Sequence, residues 1–251
     1  MGTLTIESAL SPALGEEIAF TLFLPDAAGE RLPVLYLLHG RGGSMRDWAD
    51  VVAAVAPRAI VVMPDAPWSE RGSWYVDSLH ARGRPVETAL TRDLVAHVDS
   101  HHPTVATREG RAVAGASMGG AGALRLALAR PDLFGAALVL SPAVYAPLPP
   151  PKSNTRQYGA FGVGDTPFVD DRYRQLSYPA LLARVAQPLR LVLAVGRDEQ
   201  PALDETRRLF DSARAVPMID VSLHELAGGH DWNTWRRALP LGLSELSLPR
   251  D

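Results

Sequence analysis

The sequence predicts an α/β fold: a mostly parallel, open, twisted sheet with helices on both faces and an antiparallel pair of strands at the N-terminal end. Apolar runs alternate with amphipathic stretches along the 251 residues, which is typical of repeated βα units. The first two apolar stretches partly alternate with polar residues, as half-exposed strands do. About six strands follow, which together with the antiparallel opening favours an open sheet over a closed barrel.

Each element is predicted from its local pattern. The N-terminal strands are predicted at 4–9 and 17–24, before a turn marked by Pro25-Asp26 and Gly29. Short apolar runs without alternation, typical of strands covered on both faces, occur at 34–38, 59–63, 111–115, 136–140, 189–195 and 218–224. Helical spacing of apolar residues predicts helices at 47–55, from Pro85 up to Pro103, and at 118–130, 178–185, 202–213 and 231–239.

One segment interrupts this alternation. Residues 142–175 are rich in proline and glycine and show little periodicity. Such a long connection indicates either a functional excursion over the carboxyl edge of the sheet or a solvated surface loop. No linker composition marks a boundary elsewhere, so we predict a single domain over residues 1–251.

Composition excludes several classes of partner. The 25 basic and 28 acidic residues leave a formal net charge of −3, so we predict neither a nucleic-acid nor a membrane partner. The absence of cysteine excludes disulfides, thiolate nucleophiles and cysteine-ligated metals. Residues 1–10 show no signal-peptide pattern, which leads us to expect a cytoplasmic location. No apolar stripe is left unassigned to the core, so the sequence predicts no oligomeric state.

The sharpest motif is Gly115-Ala116-Ser117-Met118-Gly119. It matches Gly-x-Ser-x-Gly and lies where a predicted strand ends and a predicted helix begins. A tight turn of this kind exposes a strained serine above the sheet, and it needs glycines where backbone meets backbone. Ser117 is therefore the predicted nucleophile. A serine that only caps the helix in a glycine-rich turn is the alternative.

A nucleophilic serine needs a base, and the base needs a carboxylate to orient it. His230 is the best placed of the seven histidines, in a glycine-rich loop directly after the last predicted strand. The acid should lie between serine and histidine in chain order, at the end of a strand. Asp198 fits this position and is the predicted acid. Glu199 is its nearest rival, and Asp204 is a weaker one.

Two backbone N–H groups should stabilise the oxyanion. The first is predicted at Met118, directly after the nucleophile. The second should come from the loop His39-Gly40-Arg41-Gly42-Gly43 after an early strand. We choose the amide of Arg41, with Gly42 as the alternative. His39 is predicted to fix this loop by hydrogen bonding and not to take part in catalysis.

These motifs resemble those of the Putative esterase family of the α/β-hydrolase superfamily. The resemblance also includes Val34-Leu35-Tyr36-Leu37-Leu38-His39-Gly40, Ser73-Trp74-Tyr75-Val76-Asp77 and Gly229-His230-Asp231-Trp232. The family contains tributyrin and feruloyl esterases, S-formylglutathione hydrolases and mycolyltransferases. The resemblance implies an α/β-hydrolase fold, a triad of Ser117, Asp198 and His230, and an oxyanion hole at Arg41 and Met118.

The resemblance also suggests which residues contact the substrate, and it has limits. The candidate substrate-binding residues are Gly42, Trp74, Tyr75 and Trp232, with core packing as the alternative for Trp74 and Tyr75. S-formylglutathione hydrolases carry a cysteine near the oxyanion loop, and this chain has none. Mycolyltransferases are exported, and no leader is visible here.

The predicted function is that of a serine carboxylesterase acting on small or soluble acyl esters through an acyl-enzyme. This chemistry needs no metal and no organic cofactor, and the small-molecule ester is the only predicted partner. An acyltransferase with the same triad, passing the acyl group to an alcohol, is the first alternative. A catalytically silent binding protein with this fold is the second, because fold does not fix function.

Overall fold

The structure is a computed structural model that describes residues 2–27, 29–66 and 72–246. The strands in these ranges are β1 (Gly2–Ser11), β2 (Glu16–Pro25), β3 (Val34–Leu38), β4 (Ile60–Pro64), β5 (Leu79–His80), β6 (Arg111–Ala116), β7 (Ala136–Leu140), β8 (Val163–Gly164), β9 (Leu189–Gly196) and β10 (Ile219–Leu226). The helices are α1 (Ala49–Val55), α2 (Val86–Thr88), α3 (Val95–His101), α4 (Met118–Ala129), α5 (Asp170–Leu176), α6 (Tyr178–Leu182), α7 (Ala202–Ala213) and α8 (Trp232–Glu245). A π-helical turn, Ala89–Leu94, joins α2 to α3, and a 3-10 turn covers Asn154–Arg156.

Eight strands form one sheet in the order β1-β2-β4-β3-β6-β7-β9-β10. β1 and β2 are antiparallel, with Ile6 opposite Thr21, and β2 is antiparallel to β4. The other neighbours in this sheet run parallel. The predicted α/β fold, with its antiparallel N-terminal pair at one edge, is confirmed. β3, β4, β6 and β7 are buried throughout, which explains their unbroken apolar sequences.

Helices cover both faces of the sheet, and each face has its own apolar core. On one face, α4, α6 and α7 contribute buried residues such as Leu124 and Leu209. On the other face, α1 and α8 contribute Val52 and Leu239. None of the described helices has the length and apolarity that a membrane crossing would need. Since parallel strands end at the same edge of a sheet, the loops after β3, β6, β9 and β10 meet there.

The segment 142–175 is less irregular than the sequence predicts. Its last part begins α5, in which Tyr173 is buried and acidic residues occupy the first turn. The helix was missed because Tyr173 and Leu176 alone do not make a visible helical period. β5 and β8 were also missed; they are two residues each and pair with one another in parallel. The single domain over 1–251 stays a prediction.

Candidate active site

Ser117 lies in the turn between β6 and α4, in a conformation that side chains rarely adopt. Its φ is 57° and its ψ is −117°. The turn is held because the Ser117 N–H donates to the carbonyl of Leu140 over 3.0 Å. A β-carbon on Gly115 would overlap the backbone of Gly119, and one on Gly119 would overlap the carbonyl of Leu38. Glycine at both positions therefore lets the turn close against β3 and lift Ser117 to the sheet edge.

The His230 imidazole bridges Ser117 and a buried carboxylate. Its Nε2 lies 2.9 Å from the Ser117 Oγ, and its Nδ1 lies 2.8 Å from Glu199 Oε2. The other oxygen, Glu199 Oε1, accepts the Gly196 N–H over 2.9 Å. The Glu199 side chain is 3% exposed, whereas that of His230 is 43% exposed. The carboxylate is thus fixed from below, and the imidazole faces the solvent above it.

The loop that carries His230 is braced on two sides. The Asp231 side chain caps α8 by accepting the Thr234 N–H over 2.9 Å. The ring of His230 packs edge-on against Trp235, with 5.0 Å between ring centroids. Trp235 in turn donates from Nε1 to Ser141 Oγ over 3.1 Å. The imidazole therefore has little freedom to leave the line between Ser117 and Glu199.

The structure does not bring Asp198, the acid predicted from the sequence, to His230. Asp198 is exposed in the turn after β9, and its N–H donates to the carbonyl of Gly228 over 3.0 Å. β9 runs to Gly196, one residue beyond the predicted strand. The turn that follows the strand therefore begins one residue later than predicted, and it is Glu199 whose side chain is buried. Asp204 is exposed in the first turn of α7. Glu199, the nearest rival at the sequence level, is the residue that the structure brings to His230.

The oxyanion loop lies against the nucleophile. A β-carbon on Gly40 would be 3.6 Å from the Ser117 β-carbon, and Arg41, Met118 and Ser117 line the same cleft. Within the described part of the chain, neither the Arg41 nor the Met118 N–H donates to a backbone carbonyl. Gly42 does not line the cleft, against expectation, because it is the exposed residue of a left-handed turn, with φ 74°.

His39 holds this loop in place. The His39 Nε2 accepts the Ala66 N–H over 3.0 Å, so its Nδ1 carries the proton and donates to the Gly40 carbonyl over 2.7 Å. The side chain is buried, and burial lowers the pKa of His39 below its ordinary value, which favours the neutral ring that this arrangement requires. The structural role expected for His39 agrees with these contacts.

Tyr75, a predicted substrate contact, does not line the cleft. It is fully buried, and its hydroxyl donates to the His39 carbonyl over 2.8 Å. Its φ of 55° belongs to a left-handed stretch that it shares with Trp74, which turns the two adjacent rings to different surroundings. Trp74 is 5% exposed and lines the cleft. Sequence patterns carry no signal for consecutive left-handed residues of this type.

The residues at the carboxyl edge surround a cleft of about 810 Å³. Trp74 and Trp232 form aromatic parts of its wall. Residues from 142 to 155 form another part, so the first half of the segment 142–175 borders the site. Arg41 stands at the cleft with its guanidinium carbon 5.8 Å from the centre of the Tyr158 ring, a distance at which a cation and a ring attract each other.

A strained serine, an imidazole and a buried carboxylate, joined by hydrogen bonds at the carboxyl edge of this sheet, define a serine hydrolase of the α/β-hydrolase fold. The sequence model described as Putative esterase matches residues 11–246, and the chain belongs to this family. The protein is therefore a hydrolase that acts on ester bonds.

Individual relatives agree with this assignment. An acetyl esterase of Caldicellulosiruptor saccharolyticus is 28% identical over 244 residues, which cover 91% of this chain and 88% of the relative. Among solved structures, a ferulic acid esterase has a TM-score of 0.77 and 24% identity, over 97% of this chain and 96% of that one. The fluorophosphonate-binding serine hydrolase FphF of Staphylococcus aureus has a TM-score of 0.76 and 21% identity, with 97% of both chains covered. At these identities the structural likeness establishes the shared fold.

Proposed function

We propose that this protein is a serine carboxylesterase that hydrolyses small acyl esters through an acyl-enzyme on Ser117. The observation that carries the proposal is the continuous line of hydrogen bonds from Glu199 through His230 to Ser117 Oγ, beside an open cleft. Glu199 replaces Asp198 as the proposed acid. Proximity alone favours this choice, because a carboxylate can orient the base only within hydrogen-bond reach.

In the acylation step, Ser117 Oγ attacks the ester carbonyl carbon while His230 Nε2 accepts the hydroxyl proton. The Arg41 and Met118 amides donate hydrogen bonds to the oxyanion that develops on the carbonyl oxygen. The tetrahedral intermediate then collapses. Its C–O bond to the alcohol breaks, and His230 returns the proton to the departing alcohol oxygen, leaving the acyl group on Ser117. Glu199 stabilises the imidazolium between the two transfers and keeps Nδ1 protonated.

In the deacylation step, water attacks the acyl carbon as His230 takes one of its protons. The acid product leaves when the proton returns to Ser117 Oγ. Water is favoured over an alcohol as acceptor because the His230 side chain is 43% exposed, so solvent reaches the base directly. A site built for acyl transfer must instead exclude water from the acyl-enzyme.

The first test replaces the nucleophile. We expect Ser117→Ala to lower kcat for p-nitrophenyl acetate by about four to six orders of magnitude, because removing the nucleophile of a triad leaves only binding and the oxyanion hole. A fluorophosphonate probe should add its mass to the peptide that contains Ser117. Ser212→Ala, an exposed serine on α7, is the matched control and should behave as wild type. Undiminished turnover or labelling in Ser117→Ala would exclude the proposed mechanism.

A further inference from the structure

A second, smaller cavity lies beside the catalytic cleft. Its volume is about 30 Å³, and its wall is mostly apolar and aromatic. Ala121 and Leu124 of α4 form one side, and Phe161, Leu176 at the end of α5 and Tyr178 at the start of α6 form the other. The cavity therefore lies between α4 and the excursion that borders the cleft.

The nearest wall of this cavity is attached to the nucleophile itself. The N–H groups of Ala121 and Ala143 both donate to the backbone carbonyl of Ser117, each over 3.0 Å. Ala143, Val144 and Trp74 line both the cleft and the cavity. The cavity thus adjoins the cleft that Ser117 lines, and these three residues form the wall common to both.

The cavity offers no free charge to a ligand. Arg125 is the one charged residue among the described residues of the wall. Its guanidinium forms an ion pair with Glu87, at 2.8 Å, and donates to the Tyr75 carbonyl, and the side chain is 6% exposed. The hydroxyl of Tyr173, also on the wall, donates to the Tyr145 carbonyl over 2.9 Å. The mostly apolar wall suits an uncharged alkyl group.

We propose that this cavity is the acyl subsite, which takes the alkyl tail of a short unbranched acyl group while the alcohol part of the ester lies in the larger cleft. The inference rests on the proposed acyl-enzyme at Ser117. One water-sized group needs about 10–15 Å³, so the cavity has room for about two or three heavy atoms. That is the number beyond the carbonyl carbon in propionyl and butyryl esters.

The test measures kcat/KM for p-nitrophenyl esters from acetate to octanoate. Each methylene that enters the cavity should raise kcat/KM about fourfold, from ~0.8 kcal/mol per buried methylene. The value should rise from acetate to butyrate and fall for hexanoate and octanoate. A flat series, or a steady rise to octanoate, would overturn the proposal.

Two variants change the cavity in opposite directions. Ala121→Val fills the wall next to Ser117 and should lower the butyrate to acetate ratio of kcat/KM at least tenfold. Leu176→Ala removes a half-buried side chain from the far wall and should move the optimum to hexanoate. Leu133→Ala, an equally half-buried leucine that lies outside both cavities, is the matched control and should keep the wild-type series.

The outcomes separate this inference from the proposed function. Active variants that label with fluorophosphonate and keep the wild-type chain-length series would exclude the acyl subsite and leave the mechanism at Ser117 standing. Failure of the proposed mechanism would instead appear as ester turnover that persists in Ser117→Ala.

Discussion

Two adjacent carboxylates follow β9, and the length of that strand decides which of them reaches His230. Gly196 is still part of β9, paired with Leu226 of β10. A β-carbon on Gly196 would overlap the backbone of Gly228, so the loops after the two strands pack directly on one another. In this close packing the Asp198 N–H donates to the Gly228 carbonyl and the Asp198 side chain is exposed, while the Glu199 side chain is buried.

This difference predicts a large effect for the Glu199→Gln substitution and almost none for Asp198→Asn. Glu199→Gln should lower kcat by about three to four orders of magnitude, because an amide in this place favours the wrong tautomer of the imidazole. Asp198→Asn should stay within a factor of about two of wild type, since its carboxylate touches no group of the site. Steady-state kinetics on one p-nitrophenyl ester decides between them. The reverse order of effects would restore Asp198 as the acid.

The sequence predicted those site residues whose position follows from a local motif or from chain order. Ser117 is marked by its glycines, and His230 by its place after the last strand. Glu199 could not be chosen over Asp198, because a shift of one residue at the end of a strand leaves no trace in an apolar run. The sequence could not show that the Tyr75 side chain lies outside the cleft, because the direction of that side chain depends on a left-handed backbone conformation.

At the scale of elements, the π-helical turn Ala89–Leu94 is the clearest departure from a regular helix. It places Asp93 against the turn after β1, where the carboxylate accepts from Ser11 Oγ over 2.6 Å and from the Ala13 N–H over 2.9 Å. Arg92 also donates to Asp93, over 2.6 Å. The helix thereby fastens the N-terminal strand pair to the rest of the sheet. Apolar spacing does not reveal such a turn, because one extra residue hardly changes the period.

Asp93 should make the free energy of unfolding depend on pH in the acidic range. Burial by itself would raise the pKa of the Asp93 carboxyl, but the hydrogen bonds from Arg92, Ser11 and Ala13 outweigh it and lower the pKa below its ordinary value. A carboxyl with a lowered pKa stabilises the fold above the unfolded value of about 3.9, and this contribution is lost as the pH falls through the folded value. We expect Asp93→Asn to cost about 1–3 kcal/mol of unfolding free energy at pH 7.

The difference between wild type and Asp93→Asn should shrink below about pH 4, as urea unfolding at several pH values can measure. Asp132→Asn, which breaks a surface pair with Arg130, is the control and should cost under about 1 kcal/mol. A difference that is constant from pH 7 to pH 3 would show that the Asp93 charge contributes nothing.

At the scale of the whole molecule, the site exists only because four strands that are distant in sequence end at one edge. The oxyanion loop follows β3, Ser117 follows β6, and Glu199 and His230 follow β9 and β10. The parallel order of these strands was predictable from their unbroken apolar runs, and with it the meeting of the loops. The packing between the loops was not predictable, because it is made by contacts such as His39 with Ala66 that have no sequence period.

His39 links this packing to the global stability of the fold. Burial lowers its pKa, and the Ala66 N–H leaves no place for a second proton on Nε2. The sign follows from linkage: the unfolded state takes up a proton near pH 6.5 while the folded state resists it, so unfolding becomes easier as the pH falls below that value. The free energy of unfolding should therefore decline between pH 7 and pH 5.

Two variants test this pH dependence. The free energy of unfolding of His39→Gln, which cannot titrate, should decline less over the same interval. That of His101→Gln, at an exposed histidine on α3, should follow the wild-type slope. Equal slopes for all three proteins in urea titrations would mean that His39 is protonated in the fold without cost, and the hydrogen bonds that position the oxyanion loop would have to be reassigned.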